Sequence, residues 1–241
     1  MQPEGVNTIF SLHPRLKTTA GLVPVTRCVA DIGTDHALLP LYLIGRGVAA
    51  RAIAVEKKAG PAAAARRAVA AAGLEERIEV RTGDGLAALS AGEVQVIVIA
   101  GLGGETIAAI LEAGAATARD AGWLVLQPMN RAAFVRRWLA ANGWRIEAEE
   151  LVEERKRLYQ AIAAAPGGGR ELSRLEEEAG PVLLSRGHPL LGRLLESIEA
   201  RYRYELEGLY HSVREETEAR KEELLERLAE IRRVTARICN K

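Results

Sequence analysis

From about residue 27 the chain alternates short β-type runs with helical stretches, and this alternation limits its fold more than any other feature. Arg27 to Ile32, Arg51 to Val55, Arg77 to Arg81, Val94 to Ala100 and Trp123 to Gln127 read as strands. A helical segment separates each from the next, the pattern of a parallel sheet with right-handed crossovers. Local signals agree: Pro61 opens the alanine-rich stretch AAAARRAVAAAG, which stops at Gly73. Two further runs, Trp144 to Val152 and Leu158 to Ala164, leave no room for a helix between them and predict an antiparallel hairpin that completes the sheet.

Pro166-Gly167-Gly168-Gly169 reads as a flexible break, after which strands give way to a sequence rich in Leu, Glu and Arg. The expected organisation is an α/β domain over 1–165 and a helical domain over 170–241. Leu191, Leu194, Ile198, Tyr202, Leu206, Leu209 and Val213 recur at spacings of three and four, and so do Leu224, Leu228, Ile231, Val234 and Ile238. Each set is the apolar seam of one helix. The polar stretch between them contains a capping box, Ser212 with Glu215, so an antiparallel coiled-coil pair is expected over one long helix.

The net charge of +1 excludes a global basic field, so any RNA contact must be local. Lys and Arg outnumber Asp and Glu by 19 to 17 over residues 1–165, against 14 to 15 over 166–241. No apolar run approaches the roughly 18 residues of a membrane span. The start, MQPEGVNTIFSLHPRLKT, lacks the features of a secretion signal, and a cytoplasmic protein is expected. Cys28 and Cys239 are too few for a disulfide framework or a cysteine zinc site, and His13, His36, His188 and His211 show no metal-ligand spacing. No metal is expected.

The first strand leads into Ala30-Asp31-Ile32-Gly33-Thr34-Asp35-His36. A glycine turn after the first strand of a parallel sheet is where such folds bind ligands. The dinucleotide fingerprint G-x-G-x-x-G fails here, because its later glycine positions, counted from Gly33, hold Asp35 and Leu38. Two carboxylates would repel a pyrophosphate, whereas S-adenosylmethionine has no phosphate and presents a sulfonium and an ammonium cation. The second strand ends at Glu56, placed to hold ribose hydroxyls, and the third is followed by Gly83-Asp84-Gly85-Leu86, where Asp84 can accept from an adenine amino group. Taken singly, each acid could be a helix cap or turn former, and His36 a packing residue. The fourth strand ends in Ala100-Gly101-Leu102-Gly103-Gly104, a turn so short of side chains that close approach to its backbone is expected. Tight strand–helix packing is the alternative. After the fifth strand, Gln127, Pro128 and Asn130 could read a flat polar substrate, and Arg131, Arg136 and Arg137 form a local basic group.

Across nearly its whole length the sequence resembles the bacterial tRNA adenine-22 N1-methyltransferases. The matching stretches are Arg15-Leu16, VADIGTDHALLP at 29–40, GDGL at 83–86, AGLGG at 100–104 and LQP at 126–128. It departs from the family pattern at Leu38, Leu102 and Met129, where an aromatic, a methionine and an asparagine are usual. The resemblance implies a class I methyltransferase domain followed by paired helices, S-adenosyl-L-methionine as cofactor and tRNA as partner. With the residues above, it gives a cofactor set of Arg15, Asp31, Gly33, Thr34, His36, Glu56, Gly83, Asp84, Gly85, Leu86 and Gly101. Asp35 and Gly101 to Gly104 are the candidates beside the transferable methyl, and Gln127, Pro128, Asn130, Arg131 and Arg136 those for the substrate. Alternatives are a methyltransferase acting on another RNA position or a small molecule, and a non-catalytic RNA-binding module.

Overall fold

The central strands are apolar on both faces: Val96, Ile97, Val98 and Ile99 are at most 1% exposed, and Leu124, Val125 and Leu126 are fully buried. Strands of this kind need helices on both sides, which crossovers of a parallel sheet supply. The structure is a computed structural model and describes residues 11–210 and 215–239. Its elements are α1 (Pro14–Gly21), β1 (Thr26–Ile32), α2 (Leu38–Gly45), β2 (Ala49–Glu56), α3 (Ala59–Ala71), β3 (Ile78–Thr82), a 3-10 turn (Gly85–Ala88), β4 (Val96–Leu102), α4 (Gly104–Ala113), α5 (Ala115–Ala121), β5 (Leu124–Pro128), α6 (Ala132–Ala141), β6 (Trp144–Glu154) and β7 (Arg157–Pro166).

The sheet has seven strands in the order β3-β2-β1-β4-β5-β7-β6. β1 to β5 run parallel, and β7 is antiparallel to both β5 and β6. This is a class I methyltransferase sheet with the expected hairpin. Alternation along β4 divides the core: Ile97 and Ile99 pack on one face with Ile107, Leu111 and Leu139, whereas Val96 and Val98 pack on the other with Leu39, Leu41 and Leu43. The chain winds outward in opposite directions from β1 and β4. Their adjacent carboxyl ends therefore open a crevice at the topological switch point.

Two local features differ from the sequence reading. β4 does not stop at Ala100 but continues to Leu102 through a register shift against β5, with Gly101 at φ +80°. A bulge admits the extra residue, and glycine takes the left-handed backbone without strain. The glycine run after β7 also does more than separate two segments. Gly167 N–H donates to the Gly143 carbonyl at 2.9 Å, and a Cβ on Gly169 would stand 2.7 Å from Gly143 Cα, so these glycines pack against the turn between α6 and β6.

The chain divides into two compact units at Glu171/Leu172. The second holds α7 (Arg174–Ala179), α8 (Pro181–Arg186), α9 (Leu191–Tyr210) and α10 (Glu215–Cys239). Leu191, Leu194, Ile198, Tyr202 and Leu206 of α9 are buried, as are Leu224, Leu228 and Ile231 of α10. Arg220 pairs with Glu205 at 2.6 Å and Arg232 with Glu199 at 3.3 Å, so the two helices run antiparallel. The sequence reading expected only these two. α7 and α8 precede them, with Leu175, Ala179 and Leu183 buried, and α7 begins with its own capping box, Ser173 with Glu176. Ser212 and Val213 lie outside the described residues, as does the capping box expected with Glu215. Among the described residues no helix is long and apolar enough to cross a membrane, and no group of three or more His, Cys, Asp or Glu could hold a metal ion.

Candidate active site

Asp31 lies inside β1, one residue before the strand ends, and is 7% exposed. Burial pushes its carboxyl up to about 6, with the Thr34 hydroxyl pulling the other way. No cation pairs with it among the described residues. After Ile32 the chain turns sharply: Gly33 has φ +76°, and the Gly33 and Thr34 N–H groups both donate to the Val55 carbonyl at 2.9 and 3.0 Å. His36 and Ala37 then adopt left-handed φ values of 55° and 53° before α2 begins. Consecutive non-glycine residues in this region are strained, and such strain concentrates at functional sites.

The turn closes one side of a cleft of about 230 Å³ lined by His13, Arg15, Leu16, Asp31, Gly33, Asp35, Leu38, Leu39, Ala100, Gly101, Leu102 and Gln127. Seven candidates from distant parts of the sequence, Arg15, Asp31, Gly33, Asp35, Gly101, Leu102 and Gln127, thus meet at the carboxyl ends of β1, β4 and β5. Asp35 is well exposed and lies 3.3 Å from His36. Gln127 is 1% exposed; its amide donates to the Pro128 carbonyl at 2.9 Å and its oxygen accepts from Arg15 at 3.4 Å.

Glu56 and Asp84 stand beside this cleft at the neighbouring strand ends. Glu56 is paired in register with Thr82, and its carbonyl accepts from Gly83 N–H at 3.0 Å. Its carboxylate accepts from the Lys58 N–H at 2.9 Å, and Asp84 pairs with Lys57 at 2.7 Å. A Cβ on Gly83 would meet Ala88 at 2.6 Å, so the GDG segment must stay compact against the 3-10 turn. The Leu86 side chain does not face this edge; it is 2% exposed in the core.

The glycines after β4 have separate roles. A Cβ on Gly104 would stand 2.3 Å from the Arg131 carbonyl, so its lack of a side chain serves packing of α4 against the 130–131 backbone. A Cβ on Gly103 would make only ordinary contact with Asn130 and Thr106, and one on Gly101 would meet nothing within 4 Å. Open space for a ligand is therefore found at Gly101 and beside Gly103, not at Gly104. Asn130 and Arg131 are exposed beside this turn, Arg131 pairing with Glu105 at 2.5 Å.

Arg136 is a correction. It is 0% exposed, with Nε 2.6 Å from Glu149 and Nη2 2.5 Å from Gln160, and cannot face a substrate. The sequence reading missed Glu154. Its carboxylate lies 3.0 Å from His13 Nδ1 and accepts from the Arg15 N–H at 3.1 Å, fastening the start of α1 to β6. Desolvation pushes the Glu154 carboxyl up, but the Arg15 N–H, the His13 side chain and the charges of both outweigh it and hold the group below the usual carboxylate range. His13-Pro14, a cap followed by proline at the first helical position, marks the start of α1 but carries no sign of its partner on β6.

A mixed sheet of order β3-β2-β1-β4-β5-β7-β6, with β7 antiparallel and two carboxylates lining its switch-point crevice, is the fold of a class I methyltransferase, and a family model described as a methyltransferase domain matches residues 12–162. A tRNA (adenine(22)-N(1))-methyltransferase of Bacillus subtilis (strain 168) is 41% identical over 158 residues, covering 66% of this chain and 66%, just under two thirds, of that protein. The crystal structure of the B. subtilis m1A22 tRNA methyltransferase superposes with a TM-score of 0.87 at 33% identity, over 94% of this chain and 99% of that one. A Streptococcus pneumoniae protein in complex with S-adenosyl-L-methionine gives a TM-score of 0.80 at 34% identity, over 92% and 98%. The chain belongs to the bacterial tRNA (adenine-22-N1)-methyltransferase family.

Proposed function

We propose that this chain transfers the methyl group of S-adenosyl-L-methionine to N1 of adenine 22 in tRNA, in the cytoplasm. The observation that carries the reading is Asp31: a buried carboxylate without a cationic partner among the described residues, lining a cleft at the switch point. A cationic ligand free of phosphate fits it. Asp31 would meet the positive end of the cofactor, Glu56 the ribose hydroxyls and Asp84 the adenine amino group, while Arg15 offers its charge to the cofactor carboxylate. When bound, S-adenosyl-L-methionine supplies an electrophilic methyl on a sulfonium. Adenine N1 has its own lone pair and attacks without prior loss of a proton, so the chain contributes mainly position. The open backbone at Gly101 and beside Gly103 gives the base a close approach, and Asp35 is an exposed acceptor for the positive charge that the product base acquires. N1 lies on the Watson-Crick edge, so the base must be unpaired or flipped first.

Mass-spectrometric mapping of tRNA treated with purified protein and labelled cofactor tests this reading. It should find 1-methyladenosine at position 22; methylation elsewhere, or none, overturns it. Glu56→Ala should weaken cofactor binding by about 1.5 to 3 kcal/mol, the range for a hydrogen bond to a charged group, as read by calorimetry.

Residues 1–165 form the cofactor-binding and catalytic part in this reading, and residues 170–241 help hold the tRNA. A soluble 1–165 fragment should bind S-adenosyl-L-methionine nearly as the whole chain does but methylate tRNA with a raised KM, because a folded RNA needs a broader surface than one flipped base offers. Unchanged KM in that fragment would assign the helices another task.

A further inference from the structure

The connection between β6 and β7 consists of Arg155 and Lys156 alone. Their φ values are +50° and +63°, as a two-residue type I′ turn requires. Asn-Gly is the sequence that such a turn favours, since most other side chains are strained in the left-handed region. Two long basic side chains stand there instead, and Arg157 follows directly. All three are exposed, and none has a carboxylate within ion-pair distance among the described residues. Arg145, the other cation of these two strands, is paired with Glu147.

Strand register places this tip. β5 pairs with β7 up to Leu126↔Ile162, so the end of β5 at Pro128 is level with Gln160. Tyr159, Leu158, Arg157 and the turn run on past the carboxyl edge of the parallel sheet. At about 3.3 Å per residue, Arg157 stands roughly 10 Å beyond that edge. Directly opposed residues of an antiparallel pair share a face, and Arg157 is opposed to Glu154, with Tyr159 two residues along. Glu154 holds His13 and Arg15, and the Arg15 guanidinium lies 5.0 Å from the centre of the Tyr159 ring. His13 and Arg15 line the cleft. Three exposed cations therefore stand at the tip of the strand pair whose Glu154 and Tyr159 touch the cleft residues His13 and Arg15.

We infer that Arg155, Lys156 and Arg157 form a phosphate-backbone contact for the RNA flanking the target base, an inference that rests on the tRNA reading above. Phosphate contacts set register without reading sequence, and a chain of net charge +1 must concentrate them locally. The turn keeps two basic residues where a less strained sequence exists, and their position at this tip matches that use.

The test measures binding of an unmodified tRNA transcript by the full chain between 50 and 200 mM salt. Arg155→Asn with Lys156→Gly removes two charges while installing the preferred turn. It should raise Tm by a few degrees, weaken tRNA binding about 5- to 20-fold at low salt, and flatten the slope of log K against log salt by about 1 to 2. S-adenosyl-L-methionine affinity should not change. Arg155→Gln with Lys156→Gln should weaken tRNA binding equally without the gain in Tm, which separates charge from strain. If wild type binds and methylates tRNA while both double variants match its affinity and salt slope, the inference fails and the tRNA reading stands. A wild-type chain that neither binds nor methylates tRNA would overturn both.

Discussion

Arg136→Ala should destabilise the methyltransferase unit by about 3 to 5 kcal/mol while leaving cofactor affinity almost unchanged. Arg136 and Glu149 are both 0% exposed, and the guanidinium also reaches Gln160 across β7. Truncation leaves the Glu149 charge buried without its partner, where water cannot compensate, and it also opens space between α6 and the hairpin. The cost comes from that isolated charge more than from lost attraction. Arg136→Met with Glu149→Leu should accordingly lie much closer to wild type, because it removes both charges and keeps most of the volume. Urea unfolding of the two variants measures the contrast. A stable Arg136→Ala protein with weakened tRNA binding would instead place this arginine at the RNA surface.

The burial of Arg136 was legible in the sequence. Ala132, Val135 and Leu139 recur at spacings of three and four, and Arg136 sits within that stripe, four residues after Ala132 and three before Leu139. Charge alone suggested a solvated face; position on the helix pointed inward. The parallel strands were easier to read, because runs such as Val96 to Ile99 are apolar without interruption and helical segments part them. Gly101 was not decidable from sequence: a glycine near a strand end can terminate the strand or form a bulge within it. Its backbone and the register shift with β5 make it the second. The short α7 and α8, six residues each, are too brief to show helical periodicity, although the Ser173–Glu176 capping box marked a helix start. Within the site, Asp31, Gly33, Asp35, Gly101 and Gln127 were each identifiable from a strand end. The anchoring role of Glu154 depends on a contact made 141 residues away in sequence, with His13, and only the folded sheet brings the two together.

Asp31→Asn should change stability and cofactor binding in opposite directions. Burial raises the Asp31 carboxyl from 3.8 to about 6, so keeping it ionised at neutral pH costs the folded chain on the order of 3 kcal/mol. Without cofactor, the asparagine variant should therefore be the more stable protein at pH 7 to 8. The folded state of wild type takes up a proton between pH 6 and 4 while the unfolded chain remains largely ionised, so the cost fades as pH falls through that window and the two proteins converge. Binding runs the other way. A carboxylate that meets a cationic ligand must lose its proton, so wild-type affinity for S-adenosyl-L-methionine should fall by up to about tenfold per pH unit below about 6. The variant should bind more than about tenfold more weakly at pH 7.5, as loss of a charge-assisted hydrogen bond implies, and should lack this component of the pH dependence. His13, Arg15 and Asp35 line the same cleft in both proteins, so the difference between their profiles isolates Asp31. Thermal denaturation without cofactor and calorimetry with it, each at pH 5 and pH 7.5, give the comparison. An asparagine variant that binds S-adenosyl-L-methionine as tightly as wild type would show that this buried charge serves the fold and not the cofactor.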